Sequence, residues 1–228
     1  MLPAAPHRGG PATIPIMFRN PLALLLLALL PLGLGGCLFD HPLTSPTSLA
    51  TPNLDSRLLG VFEYREAPKV QPGVIIKPED YKIQRVAVLP LDANHCVIYY
   101  RDFSKKPAQT LKFLGWMSRV DSANYISFRD ETAGSGTFGK YGFFKFVWEF
   151  PSDILLSSPD VKALETATSS YQMRRALRAG LKAGTAFPYE ATKWERIARI
   201  WWNPTGAAAG TTIPPEFEHG TTLDKPGL

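Results

Sequence analysis

Between Tyr81 and Leu91 apolar residues recur on one face (Tyr81, Ile83, Ala87, Leu89, Leu91) while Lys82 and Gln84 fall on the other, the period of two that marks a half-buried strand. Asp92-Ala93-Asn94 then supplies turn chemistry before Cys96, Ile98 and Tyr100 alternate again, so the two runs predict an antiparallel hairpin. Leu58 to Tyr64 precedes them as a β-leaning run whose Gly60 predicts a bend or the close approach of another chain segment. Further runs lie at Leu111 to Ser118, Asn124 to Phe128, Tyr141 to Phe150 and Ile154 to Leu156, giving about seven strands joined by short turns such as Asp121-Ser122-Ala123-Asn124 and Pro151-Ser152-Asp153. Parallel pairing needs long crossovers, which this stretch lacks, so the order reads as an up-and-down meander.

After Ser158-Pro159-Asp160 the pattern turns helical, with Val161, Leu164, Thr168 and Tyr171 in register, and one helix is expected to about Lys182, ending at Gly184. Its cationic stripe of Tyr171, Arg175, Arg178 and Lys182 reads as a solvated face in preference to a contact for anionic lipid. A second helix is expected over Tyr189 to Trp202, because Trp194, Ile197, Ala198 and Trp201 follow the i, i+3, i+4, i+7 spacing. That face is expected to close the sheet rather than to seat in a membrane interface. From Leu38 to Asn53, and again from residue 204 to the end, Pro, Thr, Ser and Gly dominate without apolar period. These stretches read as a flexible tether (37–54) and a disordered tail (204–228) on either side of a folded region, 55–203.

The run Leu22 to Leu34 is the most apolar in the chain, yet at about 13 residues it is short of the roughly 20 that a membrane-crossing helix needs. Arg19 ahead of it and Gly35-Gly36 after it complete the parts of a secretory signal. Residues 1–16 are unlike the start of such a signal, whereas Met17-Phe18-Arg19-Asn20 is a compact one, so Met17 stands beside Met1 as a candidate initiator. Leu34-Gly35-Gly36-Cys37 resembles the lipobox of bacterial lipoproteins. The resemblance implies cleavage after Gly36, diacylglycerol on the Cys37 thiol, acylation of the new amino terminus and attachment to the cell-envelope membrane. Leu38 stands where that family's inner-membrane retention signal carries Asp, which implies the outer membrane, with the periplasmic face of the inner membrane as the alternative.

Removing residues 1–36, which hold Arg8 and Arg19 and no acid, leaves 192 residues and lowers the formal charge from +5 to +3. One domain is expected, and the charge is too mild for a nucleic-acid partner. Of the two cysteines one is taken by the lipid; Cys96, in an alternating run, reads as a small buried apolar group rather than a nucleophile, since adjacent His95 points to the other face of a strand. Gly134-Ser135-Gly136-Thr137-Phe138-Gly139 matches a dinucleotide fingerprint in letters only, because a strand and not a helix follows it. The His residues, at 7, 41, 95 and 219, do not pair by spacing, so no metal and no cofactor is expected.

The order LLGVFEY, loop, β meander and terminal helix resembles the lipocalin-like lipoproteins, with Gly60 followed by Phe62 where that family carries Gly and, two residues on, Trp. The expected fold is therefore mainly β, an antiparallel meander forming a barrel or half-barrel with one or two C-terminal helices. Its aromatic interior, with Tyr100, Phe113, Trp116 and Phe146 as candidates, points to binding of a small apolar ligand or an envelope protein rather than to catalysis. An envelope enzyme whose site is assembled from distant residues is the alternative.

Overall fold

The computed structural model describes residues 38–48, 52–70, 75–201 and 212–218. The stretch read as a secretory signal, with Met17, Cys37 and most of the expected tail, lies outside them. Eight strands close into a barrel in sequence order, each antiparallel to its neighbours: β1 (Gly60–Glu66), β2 (Lys82–Pro90), β3 (His95–Asp102), β4 (Gln109–Val120), β5 (Ala123–Asp130), β6 (Tyr141–Glu149), β7 (Asp153–Ser157) and β8 (Thr192–Arg199). The expected mainly-β antiparallel barrel is thus the fold, and the meander of strands falls where period two placed it.

Closure happens between β8 and β1, and Gly60 makes it possible. Its φ of 151° is rarely adopted by residues with a side chain, and a Cβ there would sit 2.4 Å from the carbonyl oxygen of Ala198. The close approach expected at this glycine is the seam of the barrel. Just beyond it the β1–β8 register shifts between Val61 and Phe62, where β8 carries an extra residue.

β8 replaces the helix expected over Tyr189 to Trp202. The bulge explains why the pattern looked helical: Trp194 pairs with Ile154 and faces the lumen, whereas both Ile197 and Ala198 lie outside, packed around Val61. A strand with one extra residue breaks period two and leaves apolar residues three and four apart.

The helical stretch before it is also shorter than expected. It divides into α1 (Val161–Leu164), capped by Asp160, and α2 (Ser170–Ala183), capped by Ser169 and ended by Gly184 at φ 73°. The interruption falls at Thr166-Ala167-Thr168-Ser169, where hydroxyl side chains compete for backbone partners: Thr168 donates from both N and Oγ1 to Gln172. Met173 and Leu177 of α2 pack on Val120, Tyr125 and Phe143 of the outer barrel wall. The opposite stripe, Tyr171, Arg175, Arg178 and Lys182, is exposed, as a solvated face is, and Arg178 pairs with Asp121 at 3.0 Å.

Two further segments cover the outside of the wall, both in regions expected to be loose. Residues 38–48 are not a free tether: Phe39 exchanges backbone hydrogen bonds with Tyr141 (2.5 and 2.8 Å), and Phe39 and Leu43 are buried in the same cluster as α2. Within the tail, α3 (Pro215–Glu218) places Phe217 against Val61 and Ala87. Beneath it lies a buried ion pair, Arg85 to Glu63 at 2.7 Å, and Arg85 also donates to the carbonyl of Glu216. Isolated apolar residues in Pro-rich segments carry no period, but each buries one large side chain on a wall that is apolar on both faces.

Candidate functional site

The connections β1–β2, β3–β4, β5–β6 and β7–β8 leave one end of the barrel, here called the mouth. At the other end, the floor, a 3₁₀ turn at Ser56–Leu58 carries the chain across the opening, with Leu54, Leu58 and Leu59 buried and Leu54 N–H bonded to the Ala93 carbonyl at 2.9 Å. Register decides which side chains enter the lumen. Val86 stands opposite Phe62 and Tyr100, Tyr100 opposite Leu111, and Ile98 opposite Phe113. Around the wall Phe113 meets Phe128 edge-on at 5.2 Å, Phe128 stacks on Phe144 at 5.5 Å, Phe146 touches Trp148 at 5.9 Å, and Tyr64 lies 5.5 Å from Trp194.

Of the four aromatic candidates, Tyr100, Phe113 and Phe146 belong to this inward row. Trp116 does not. It pairs with His95 and Ser127 on the outward row of β4, and its indole N–H donates to the Thr44 carbonyl at 3.1 Å beneath the segment 38–48. A buried Trp was expected to be a lumen Trp; the outer wall being covered as well makes the two indistinguishable in sequence. The residues missed are Phe62, Tyr64, Phe128, Phe144, Trp148 and Trp194. Period two carried to the ends of β1, β5 and β6 selects the first five, while the bulge conceals Trp194.

The inward row is not uniformly buried. Tyr64, Val86, Leu111, Phe144 and Leu156 face inward yet keep part of their surface accessible, whereas Tyr100, Phe113, Phe128 and Phe146 behind them are buried. All but Val86 of the accessible set lie toward the mouth. Within this apolar wall the Tyr100 hydroxyl is buried without a hydrogen-bond partner, and burial, with the charge of Asp102 adding to it, pushes its pKa well above the ordinary value. Asp102 itself is committed to the Ser104 N–H (2.9 Å) and hydroxyl (2.6 Å). Asp130 likewise holds the β5–β6 loop. Burial alone would raise its pKa, but bonds from Thr137 Oγ1, Thr132 N–H and Ser135 Oγ outweigh that and hold it below the usual carboxylate value. Asp102 and Asp130 therefore both have structural partners.

Among the described residues the thiol and the imidazole of β3 lie on opposite faces of the wall. Cys96 is fully buried, and burial pushes its thiol up to about 12, away from the thiolate a nucleophile needs. His95 faces outward, held by Asp92 (2.8 Å) and the Pro46 carbonyl (3.0 Å). Among the described residues no three His, Cys, Asp or Glu side chains converge on a point. The 134–139 glycine run forms the β5–β6 loop that leads into a strand. Near the floor a cleft of about 390 Å³ is lined by Arg57, Trp148, Phe150, Arg196 and Arg199 among others. Arg57 is chelated there by Asp55 at 2.8 Å, and Glu149 is paired with Lys193 at 3.0 Å.

The chain matches no family model, and neither a curated protein nor a solved structure matches it.

Proposed function

We propose that the protein is a lipid-anchored cell-envelope protein, held by diacylglycerol on Cys37 and directed to the outer membrane, that binds a small apolar ligand in the barrel lumen. The observation that carries the binding half is the row of inward apolar side chains that remain accessible toward the mouth, with Val86 the deepest of them. Apolar surface exposed to water inside a concavity is the driving force for an apolar guest, at about 25 cal/mol per Å² covered. The orphan Tyr100 hydroxyl supplies one polar handle, and a guest bearing a carbonyl or hydroxyl oxygen would satisfy it. Tyr100, Phe113 and Phe146 thus stay as ligand candidates, joined by Tyr64, Val86 and Phe144, and Trp116 leaves the set.

The test is titration of the protein with an apolar fluorophore such as N-phenylnaphthylamine, for the protein and for Val86→Trp, which places an indole in the lumen. Saturable binding of one fluorophore, lost in Val86→Trp and competed by fatty acids or alcohols, is the expected result. Binding that Val86→Trp leaves untouched would remove the lumen from consideration. The anchor is tested separately: Cys37→Ala should leave the precursor unprocessed and free of radioactive fatty acid, whereas Cys96→Ser should label normally.

A further inference from the structure

Exposed large apolar side chains occur at both ends of the barrel. At the floor Phe150 is 94% and Trp201 77% exposed; at the mouth Phe138, in the β5–β6 loop, is 60% and Ile75, in the β1–β2 loop, 86% exposed. Exposure alone does not choose between the ends. The point at which the chain enters the fold does.

Phe39 is fixed by two backbone hydrogen bonds to Tyr141, the first residue of β6 and therefore a residue of the mouth. A salt bridge from Asp40 to Lys140, at 3.3 Å, ties the next residue to the same place. Two residues reach at most about 7 Å, so Cys37 cannot stand farther than that from the mouth while this pairing holds. β6 has nine residues, and at about 3.3 Å each with a barrel tilt near 40° it separates mouth from floor by roughly 20 Å.

We infer that the mouth of the barrel rests on the bilayer that holds the Cys37 lipid, with Phe138 and Ile75 dipping among the headgroups, so that the lumen opens onto the membrane. The surroundings fit an anionic lipid surface. Lys105 and Lys106, both exposed, flank the mouth in the β3–β4 loop, and each such cation near a membrane adds about 1 kcal/mol of attraction; on the β1–β2 connection exposed Lys69 and Lys77 are balanced by exposed Glu79 and Asp80. These contacts need only be weak, since a lipid attached so close by keeps the loops at high effective concentration against the surface. The helices of the β7–β8 connection do not stand in the way, because α2 lies along the outer wall as far as Asp121 in the β4–β5 turn. A guest could then pass between bilayer and lumen without crossing water. The inference rests on the lipid at Cys37 and not on the identity of the guest.

The experiment uses the full-length protein, expressed and processed in bacteria and purified with its lipid in Cys96→Ser background. Phe138→Cys and, separately, Phe150→Cys are labelled with the dye NBD and returned to vesicles of phosphatidylethanolamine and phosphatidylglycerol. A blue-shifted emission at position 138 that doxyl-labelled lipid quenches, with position 150 unshifted and unquenched, is the expected result. If the protein floats with the vesicles but the label at 138 stays in water, or the label at 150 is the one quenched, the orientation is overturned while the anchor stands. If the purified protein carries no fatty acid and does not float, the anchor fails and the orientation with it. Fluorophore binding in the lumen is read independently of all three outcomes.

Discussion

The guanidinium of Arg196 lies 5.0 Å from the centre of the Phe62 ring and 5.8 Å from that of Trp148, with a hydrogen bond to the Arg57 carbonyl, so a cation closes the floor of an otherwise apolar lumen. Phe62 and Arg196 are opposite one another across the β1–β8 seam, two residues from Gly60. The seam therefore joins a glycine that permits close approach to a cation–aromatic contact that caps the barrel.

Gly60→Ala is expected to open this seam. The substitution adds backbone strain at φ 151° to a 2.4 Å clash with the Ala198 carbonyl, together costing about 3 kcal/mol. A urea midpoint lowered accordingly, with amide exchange accelerated first in β1 and β8, checks it. Gly134→Ala, also at positive φ but with nothing within 4 Å, should cost less because strain acts alone.

Cys96 gives a prediction in pH. Its folded pKa of about 12 lies above the ordinary thiol value of 9.0, so the stability that burial of the neutral thiol contributes is complete below pH 9 and is lost between pH 9 and 12. The loss runs at about 1.4 kcal/mol per pH unit. The difference in urea stability between the protein and Cys96→Ala should shrink by that slope above pH 9, and iodoacetamide should leave the native thiol unmodified at pH 8. Reaction of the folded protein at the rate of a free thiol would contradict the burial.

The strands legible in sequence are those whose two faces differ or whose turns are chemically marked. β2 and β3 were placed by alternation and by Asp92, whose Oδ1 accepts the N–H groups of Asn94 (2.7 Å) and His95 (2.8 Å). Three things were hidden. The β8 bulge turned period two into apparent period 3.6. The outer wall is covered by 38–48, α2 and α3, so inward and outward residues of β4 are equally apolar and Trp116 could not be assigned a side. Single anchors such as Phe39 and Phe217 leave no periodic trace. The lumen was legible as an aromatic interior, its accessible mouth was not, since exposure of Val86 or Phe144 depends on what the opposite strands leave unfilled.

The corrected β8 reverses the expectation for its tryptophans. Read as a helix, Trp201 would share a buried face with Trp194; in the barrel Trp201 is exposed and Trp194 is buried against Tyr64. Trp194→Ala should destabilise by about 3 to 5 kcal/mol, and Trp201→Ala by about 0.5 kcal/mol or less. Urea midpoints of the two variants, taken side by side, distinguish the strand from the helix without a new structure.

The cover formed by α3 sets a ceiling on what its own mutations can cost. A four-residue helix has no stability by itself; it is held through Phe217, which lies on Val61 and Ala87, and through the Arg85 bond to the Glu216 carbonyl. Once Phe217→Ala has undocked the segment no more can be lost, so the cost should stop at the value of burying that ring, about 2 to 3 kcal/mol. Deleting residues 212–228 should lower the urea midpoint by the same amount. Undocking also lets water reach Glu63 and Arg85. In the intact chain Arg85→Met leaves the buried Glu63 carboxylate paired only with the half-exposed Arg65, at 2.5 Å, which costs about 3 kcal/mol; in the shortened chain the carboxylate is hydrated, and the same substitution should cost well under half of that. The two changes are therefore expected to be strongly non-additive. Additive losses in the four-way comparison would mean that residues 212–218 do not cover the Arg85–Glu63 pair in solution.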